Sequence, residues 1–178
     1  MAWESTLTSV AAQRYPRVLA FAVLLAGSRA VAEDLVQEAF VSTFTAKARF
    51  ASVDQAEAYV RRAVATRFLD QARRRTKEAD VVRLEAPLLQ HAPEPVFAPE
   101  LREALAALPP RERACVVLRH LEGMSTRETA QALGLSEGSV KRYLSDGLAA
   151  LAARLGPVEK TVERIPVETR RKEARRDR

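Results

Sequence analysis

Between Arg61 and Lys77 seven cationic groups, Arg61, Arg62, Arg67, Arg73, Arg74, Arg75 and Lys77, crowd one helix-length stretch, interleaved with Tyr59, Thr66, Asp70 and Gln71. Guanidinium groups grip phosphates whatever the base sequence, and an aromatic ring among them offers a stacking surface to an unpaired base. A second set, Ser136, Glu137, Ser139, Lys141, Arg142 and Ser145, brings together the donors and acceptors that read base edges and phosphates in a major groove. A third, Asp34, Gln37, Glu38 and Val41, recurs at i, i+3, i+4, i+7 and would present carboxylates beside an apolar group, a protein-docking pattern in an otherwise basic block. All of this chemistry is recognition. Bond-making needs a carboxylate cluster, a Cys and His set or a glycine-rich phosphate loop, and the chain shows none, so neither catalysis, a metal nor a cofactor is expected. His91 stands alone, and Cys115 beside Val116, Val117 and Leu118 reads as a small buried apolar residue.

These groups are useful only if helices hold them in register. From Met124 to Leu148 the pattern is two helices about a turn, a helix-turn-helix. Ser125 with Glu128 three residues on is a capping box, Gly134 supplies the left-handed residue that ends the first helix, and Ser136 caps the next. Ala130, Gly134 and Val140 fall where the motif needs a small residue, a turn glycine and a branched apolar residue. Val140, Leu144, Leu148 and Leu151 are predicted to face inward, leaving Glu137, Lys141, Arg142 and Ser145 outside.

The first block, residues 1–77, is helical throughout by its periodicity. Leu7 to Tyr15 and Pro16 to Ala26 form one helix or two, since Pro16 suits a first turn better than an interior. Ser28 is a candidate cap for a helix from Arg29 to Lys47, with Val31, Leu35, Ala39 or Phe40, and Phe44 inward. Asp54 with Glu57 is the predicted start of the basic helix, whose Val60, Val64 and Phe68 point to the core. Further on, Leu101, Leu105 and Leu108 make a short helix stopped by Pro109 and Pro110. Another begins at that pair, with Ala114, Val117, Leu118 and Leu121 inward and Gly123 ending it.

Charge divides the chain in the same places. Residues 1–77 carry 12 basic and 7 acidic groups, and 101–156 carry 8 and 6. Between them, 78–100 carries 1 and 5, with four prolines and no sustained period, which reads as an acidic linker. The tail, 157–178, is densely charged and expected to be disordered. The net charge of +6 suits a polyanionic partner. The start lacks a signal peptide's basic and apolar runs, and no apolar run approaches the roughly eighteen residues of a membrane span, so a cytoplasmic protein without membrane insertion is expected. The fold class expected is all-α: two small helical domains, 1–77 and 101–156, joined by an extended linker.

Two separated segments together resemble the sigma-70 family of bacterial RNA polymerase sigma factors, in its extracytoplasmic-function (ECF) group. AEDLVQEAF (32–40) and AYVRRAVATRFLDQARRR (58–75) are similar to that family's second region, and LREALAALPPRERACVVLRHLEGMSTRETAQALGLSEGSVKRYL (101–144) to its fourth. The resemblance implies that Asp34, Leu35, Gln37 and Glu38 dock on the β′ subunit of core RNA polymerase. It implies that Tyr59, Arg62, Thr66, Arg67, Asp70, Arg73 and Arg74 engage the minus-10 element and help to melt it. Ser136, Glu137, Ser139, Lys141, Arg142 and Ser145 would read the minus-35 element of promoter DNA. The linker would pass through the polymerase toward its active site and RNA exit channel; the implied partners are core RNA polymerase, through its β′ and β subunits, promoter DNA and an anti-sigma factor. The family commonly has Trp and Asn where Tyr59 and Thr66 stand, and more basic residues after Lys141 than the Tyr143, Leu144, Asp146 and Gly147 found here; the latter implies weaker phosphate anchoring and a helix that bends or ends near Gly147. The alternative is a stand-alone helix-turn-helix regulator, dimeric on palindromic DNA.

Overall fold

The computed structural model describes residues 2–47, 49–79 and 97–156, and the side chains of 6–47, 49–76 and 97–156. All regular structure among them is helical. Most of the acidic linker and all of the tail predicted at 157–178 lie outside the described residues.

The chain opens with α1 (Ala2–Ser9), a π-helical turn (Val10–Arg14) and α2 (Tyr15–Ala26). One helix or two therefore resolves as a continuous run with a widened turn. Pro16 has no amide hydrogen and its ring crowds the carbonyl four residues back, so the ladder skips there and Pro16 takes an early position of α2. Next come α3 (Arg29–Thr45) and α4 (Val53–Ala79). Ser28 occupies the cap position of α3 in extended conformation, but its hydroxyl caps nothing.

Two expectations about these helices are corrected. The inner face of α3 is Ala32, Leu35, Val36, Ala39 and Thr43, with Phe44 at the exposed edge. α4 starts two residues earlier than an Asp54 cap suggests: Ser52 Oγ accepts the Gln55 amide (3.1 Å) and Gln55 Oε1 accepts the Ala51 amide (2.7 Å). Glu57 is thereby freed for the interior, where it is only 6% exposed.

The second block is α5 (Pro99–Ala106), α6 (Pro110–Val116) running into a π-helical turn (Val117–Leu121), α7 (Thr126–Leu133) and α8 (Glu137–Leu155). The widened turn rotates its last residues out of the α-helical phase, which is why Leu121 comes out exposed instead of inward. In α8 the inner stripe is Val140, Leu144, Gly147 and Leu151, whereas Leu148 is exposed. The helix does not end at Gly147 but continues to Leu155. A Cβ there would stand 3.0 Å from Val116 Cγ2, so glycine is what lets α8 lie close against α6.

The two blocks share one core. Val18, Leu25, Leu35, Val60, Val64 and Phe68 from the first are continuous with Leu105, Leu108, Val117 and Leu118 from the second. Each such side chain, taken out of water, stabilises by about 1.5–3 kcal/mol. A smaller cluster, Cys115, Ala130 and Val140, with Leu133, Leu135 and Leu144 packed on it, fixes the helix-turn-helix. No helix among the described residues is long and apolar enough to cross a membrane.

Candidate functional site

The helix-turn-helix is built by its caps. Ser125 Oγ accepts the Glu128 amide (3.1 Å) while Glu128 Oε2 accepts the Ser125 amide (2.8 Å), closing a full capping box on α7. Those hydrogen bonds from Ser125, with Arg62 of α4 nearby, hold the Glu128 carboxyl below its ordinary range. Gly134 ends α7 at φ 62°, and the Ser139 amide donates to Ser136 Oγ (3.1 Å) to start α8. This puts Ser136, Glu137, Lys141, Arg142 and Ser145 on exposed surface of α8. Ser139 is half-buried, its hydroxyl 2.9 Å from that of Ser136.

Arg142 stacks over the Tyr143 ring at 5.2 Å, and Arg111 donates to the Tyr143 hydroxyl at 3.0 Å. The bond from Arg111, foremost, and the two arginine charges lower the phenol's pKa. Cations gathered at one end of an exposed helix face can hold phosphates there, while Glu137 and Lys141 nearer the N-terminus can reach base edges.

On α4, Tyr59, Arg62, Thr66, Asp70, Arg73 and Arg74 are exposed and Arg67 half-buried. Tyr59 leans on Phe50 with ring centroids 5.3 Å apart, and the residue remains 40% exposed. Asp70 lies 3.9 Å from Arg73, a loose pair that leaves both free to meet other partners. On α3 the neighbouring strip of Asp34, Gln37, Glu38 and Val41 is exposed, and Arg67 reaches Glu38 at 3.5 Å. Leu35 is the exception: at 1% exposure it is core and cannot meet a partner, and Val41, 65% exposed, is the apolar group of the strip.

The charge network between the blocks was not expected from sequence. Glu57 takes Arg14 (3.7 Å), Arg17 (3.6 Å) and Arg61, and Arg61 also bonds Glu122 across the block boundary. Arg113 donates to Leu25 O at 2.7 Å, to Leu108 O at 3.0 Å and to Ala106 O, with its guanidinium 5.5 Å from the Phe68 ring centroid. Thr66 Oγ1 lies within bonding distance of Arg62 O (3.0 Å) and of Ala132 O on α7 (3.2 Å). The Glu57–Arg61 spacing, i and i+4, is the one sequence signal for any of this. Among the described residues no group of acidic, His and Cys side chains could hold a metal.

Residues 10–78 match the family model for sigma-70 region 2, and residues 99–151 that for sigma-70 region 4. The RNA polymerase sigma-E factor of Streptomyces antibioticus is 38% identical over 130 residues, 70% of each chain. That of Streptomyces avermitilis is 35% identical over 154 residues, 80% of this chain and 84% of that one. The chain belongs to the sigma-70 family. It is an alternative RNA polymerase sigma factor of the ECF group, and the ECF sigma factor SigF of Caulobacter vibrioides is a further relative at 33% identity over 74% of each chain. Among solved structures, the sigma factor RpoE of Bartonella quintana, in complex with the anti-sigma factor NepR, matches it with a TM-score of 0.61 at 25% identity, over 79% of this chain and 90% of that one. The basic helix α4 and the acidic strip on α3 fall in region 2, and the helix-turn-helix in region 4.

Proposed function

We propose a division of labour for this sigma factor in directing core RNA polymerase to its promoters. Asp34, Gln37, Glu38 and Val41 on α3 dock on the β′ subunit. The α4 stripe of Tyr59, Arg62, Thr66, Arg67, Asp70, Arg73 and Arg74 engages the minus-10 element as it melts, because a base's edges and faces become available only once it is unstacked. Ser136, Glu137, Ser139, Lys141, Arg142 and Ser145 meet the minus-35 element as duplex. Residues 1–77 and 101–156 act as the two modules, and the acidic stretch between them passes along the polymerase. The chain itself makes and breaks no bonds, works in the cytoplasm, and has an anti-sigma protein as a partner, as the Bartonella relative does.

The observation that carries this reading is that Asp34 and Glu38 of α3 and Arg62, Arg73 and Arg74 of α4 are exposed on neighbouring helices of one region 2 unit, with the loose Arg67–Glu38 and Asp70–Arg73 pairs their only ion pairs among the described residues. The exposed Arg67–Glu38 pair contributes at most about 1 kcal/mol, so the strip can be reversed without unfolding the chain. Asp34→Arg with Glu38→Arg should weaken binding to core polymerase by at least about tenfold while thermal unfolding stays near wild type. A folded double variant that bound core normally would contradict the docking role.

A further inference from the structure

We propose that Arg111 of α6, a residue outside the helix-turn-helix, is a further DNA contact of this sigma factor: with Arg142 and the Tyr143 hydroxyl it forms a seat for one backbone phosphate of duplex promoter DNA at the rim of the minus-35 element. It rests on the promoter reading and adds to it a contact and the residue that positions that contact.

The charge that α8 lacks is the first reason. After Lys141 and Arg142 the helix has no lysine or arginine until Arg154, and Asp146 stands one turn on from Arg142. Phosphate contacts hold a reading helix in register on the duplex, so a neighbouring element has to supply what α8 does not. Gly147 lets α6 come close enough to do so. A Cβ there would stand 3.4 Å from Cβ of Glu112, the residue after Arg111. At this separation Arg111 donates to the Tyr143 hydroxyl at 3.0 Å, 32 positions along the chain.

The second is that two cations converge on one uncharged group. Consecutive helix residues project about 100° apart and do not face each other, yet the Arg142 guanidinium lies over the Tyr143 ring, 5.2 Å from its centroid. The phenol registers both: the hydrogen bond from Arg111, foremost, with one from Arg142 and the two positive charges, lowers its pKa. Both arginines are exposed, and neither forms an ion pair with a carboxylate among the described residues. Like charges gathered at a neutral hydroxyl repel, and an exposed cation–π contact returns only about 0.5–1 kcal/mol. An anion between them completes the arrangement. Arg111 spends one N–H on Tyr143 and keeps the rest of its fork for phosphate oxygens.

Placement selects a phosphate over a base. Tyr143 is half-buried on the small cluster of Cys115, Ala130 and Val140, so its hydroxyl cannot enter a groove. α6 packs on the inward side of α8, at Gly147. A side chain rooted there reaches the rim of the groove and not its floor.

The test is the affinity of holoenzyme, made with the full chain, for duplex promoter DNA across a salt series. Arg111→Ala should weaken binding by at least about threefold and lower the slope of log K against log salt by about 0.9, the contribution of one phosphate. The loss should be equal on promoters with altered minus-35 base pairs, because the contact reads no base, and core binding should be unchanged. Arg111→Lys should keep the wild-type slope. Tyr143→Phe retains the ring and both charges but no longer fixes Arg111, so its loss and that of Arg111→Ala should be less than additive in the double variant.

A wild-type slope in Arg111→Ala would overturn the proposal even at reduced affinity, because loosened packing weakens binding without changing the number of counterions released. A slope lost as fully with lysine as with alanine would overturn the charge contact, and additive losses would overturn the positioning by Tyr143. Lys141→Ala keeps this inference apart from the reading beneath it. Should Lys141→Ala weaken promoter binding while Arg111→Ala does not, this inference alone fails; a holoenzyme that protects no minus-35 DNA removes both.

Discussion

Arg113 carries a charge where charge is costly. Its side chain is buried with three carbonyl oxygens and an aromatic face but no carboxylate, and desolvation lowers its pKa. Removing a guanidinium from water costs several kcal/mol, and charge-assisted bonds to carbonyls return about 1.5–3 kcal/mol each, so the two nearly balance. What Arg113 supplies is therefore geometry more than stability: its fork fits only when α2 and the α5–α6 turn are in place. Cys115 shows the opposite residue logic. Its thiol is buried, and burial, with the Glu112 charge second, pushes its pKa up to about 11. The native thiol should react with a disulfide exchange reagent at pH 8 at least about a hundredfold more slowly than in the unfolded chain, because it is both shielded and protonated. Equal rates would show that the α6–α8 seam is open. Residues of this kind divide by legibility. The role of Cys115 could be read from its apolar neighbours, whereas nothing near Arg113 in sequence says that its partner is a carbonyl 88 residues away.

Among the elements, the helix-turn-helix was legible because its signals are local: Ser125, Glu128, Gly134 and Ser136 each act within four residues of themselves and each does what its chemistry suggests. Longer-range phase was not. Leu121 and Leu148 fit a helical period yet face solvent, the first because a π-helical turn rotates the ladder, the second because Gly147 takes the inward place beside it. The start of α4 failed for another reason: Ser52–Gln55 and Asp54–Glu57 both have capping-box spacing, and the burial of Glu57 among Arg14, Arg17 and Arg61 decides between them. Gly147 is the position to probe. An alanine there gains about 1 kcal/mol of helix propensity but presses its methyl on Val116. A branched side chain has no room at all, so Gly147→Val should destabilise the chain by about 1–3 kcal/mol in denaturant titration, with α8 displaced from α6. A variant as stable as wild type would mean that the two helices do not meet where the structure has them.

At the scale of the whole molecule, two units with their own family signatures share a single core. Periodicity and charge suggested two helical units with an acidic stretch between them. They did not show the units packed together, because the seam is made by pairs such as Arg61–Glu122 and Thr66–Ala132, more than sixty residues apart, whose members carry no mark of each other in sequence. The candidate surfaces follow the same rule: the exposed faces of α3, α4 and α8 follow from helical spacing, and Leu35, which that spacing turns inward, is named for docking by the resemblance alone and is buried. The most direct measurement is footprinting on a cognate promoter with and without core polymerase. The holoenzyme should protect both elements and open the DNA around minus 10. With Lys141→Ala/Arg142→Ala, upstream protection should fall by at least about tenfold in affinity while core binding is unchanged. The chain alone should protect neither element. Tight protection of a symmetric site by the isolated protein, with no response to core polymerase, would contradict the account.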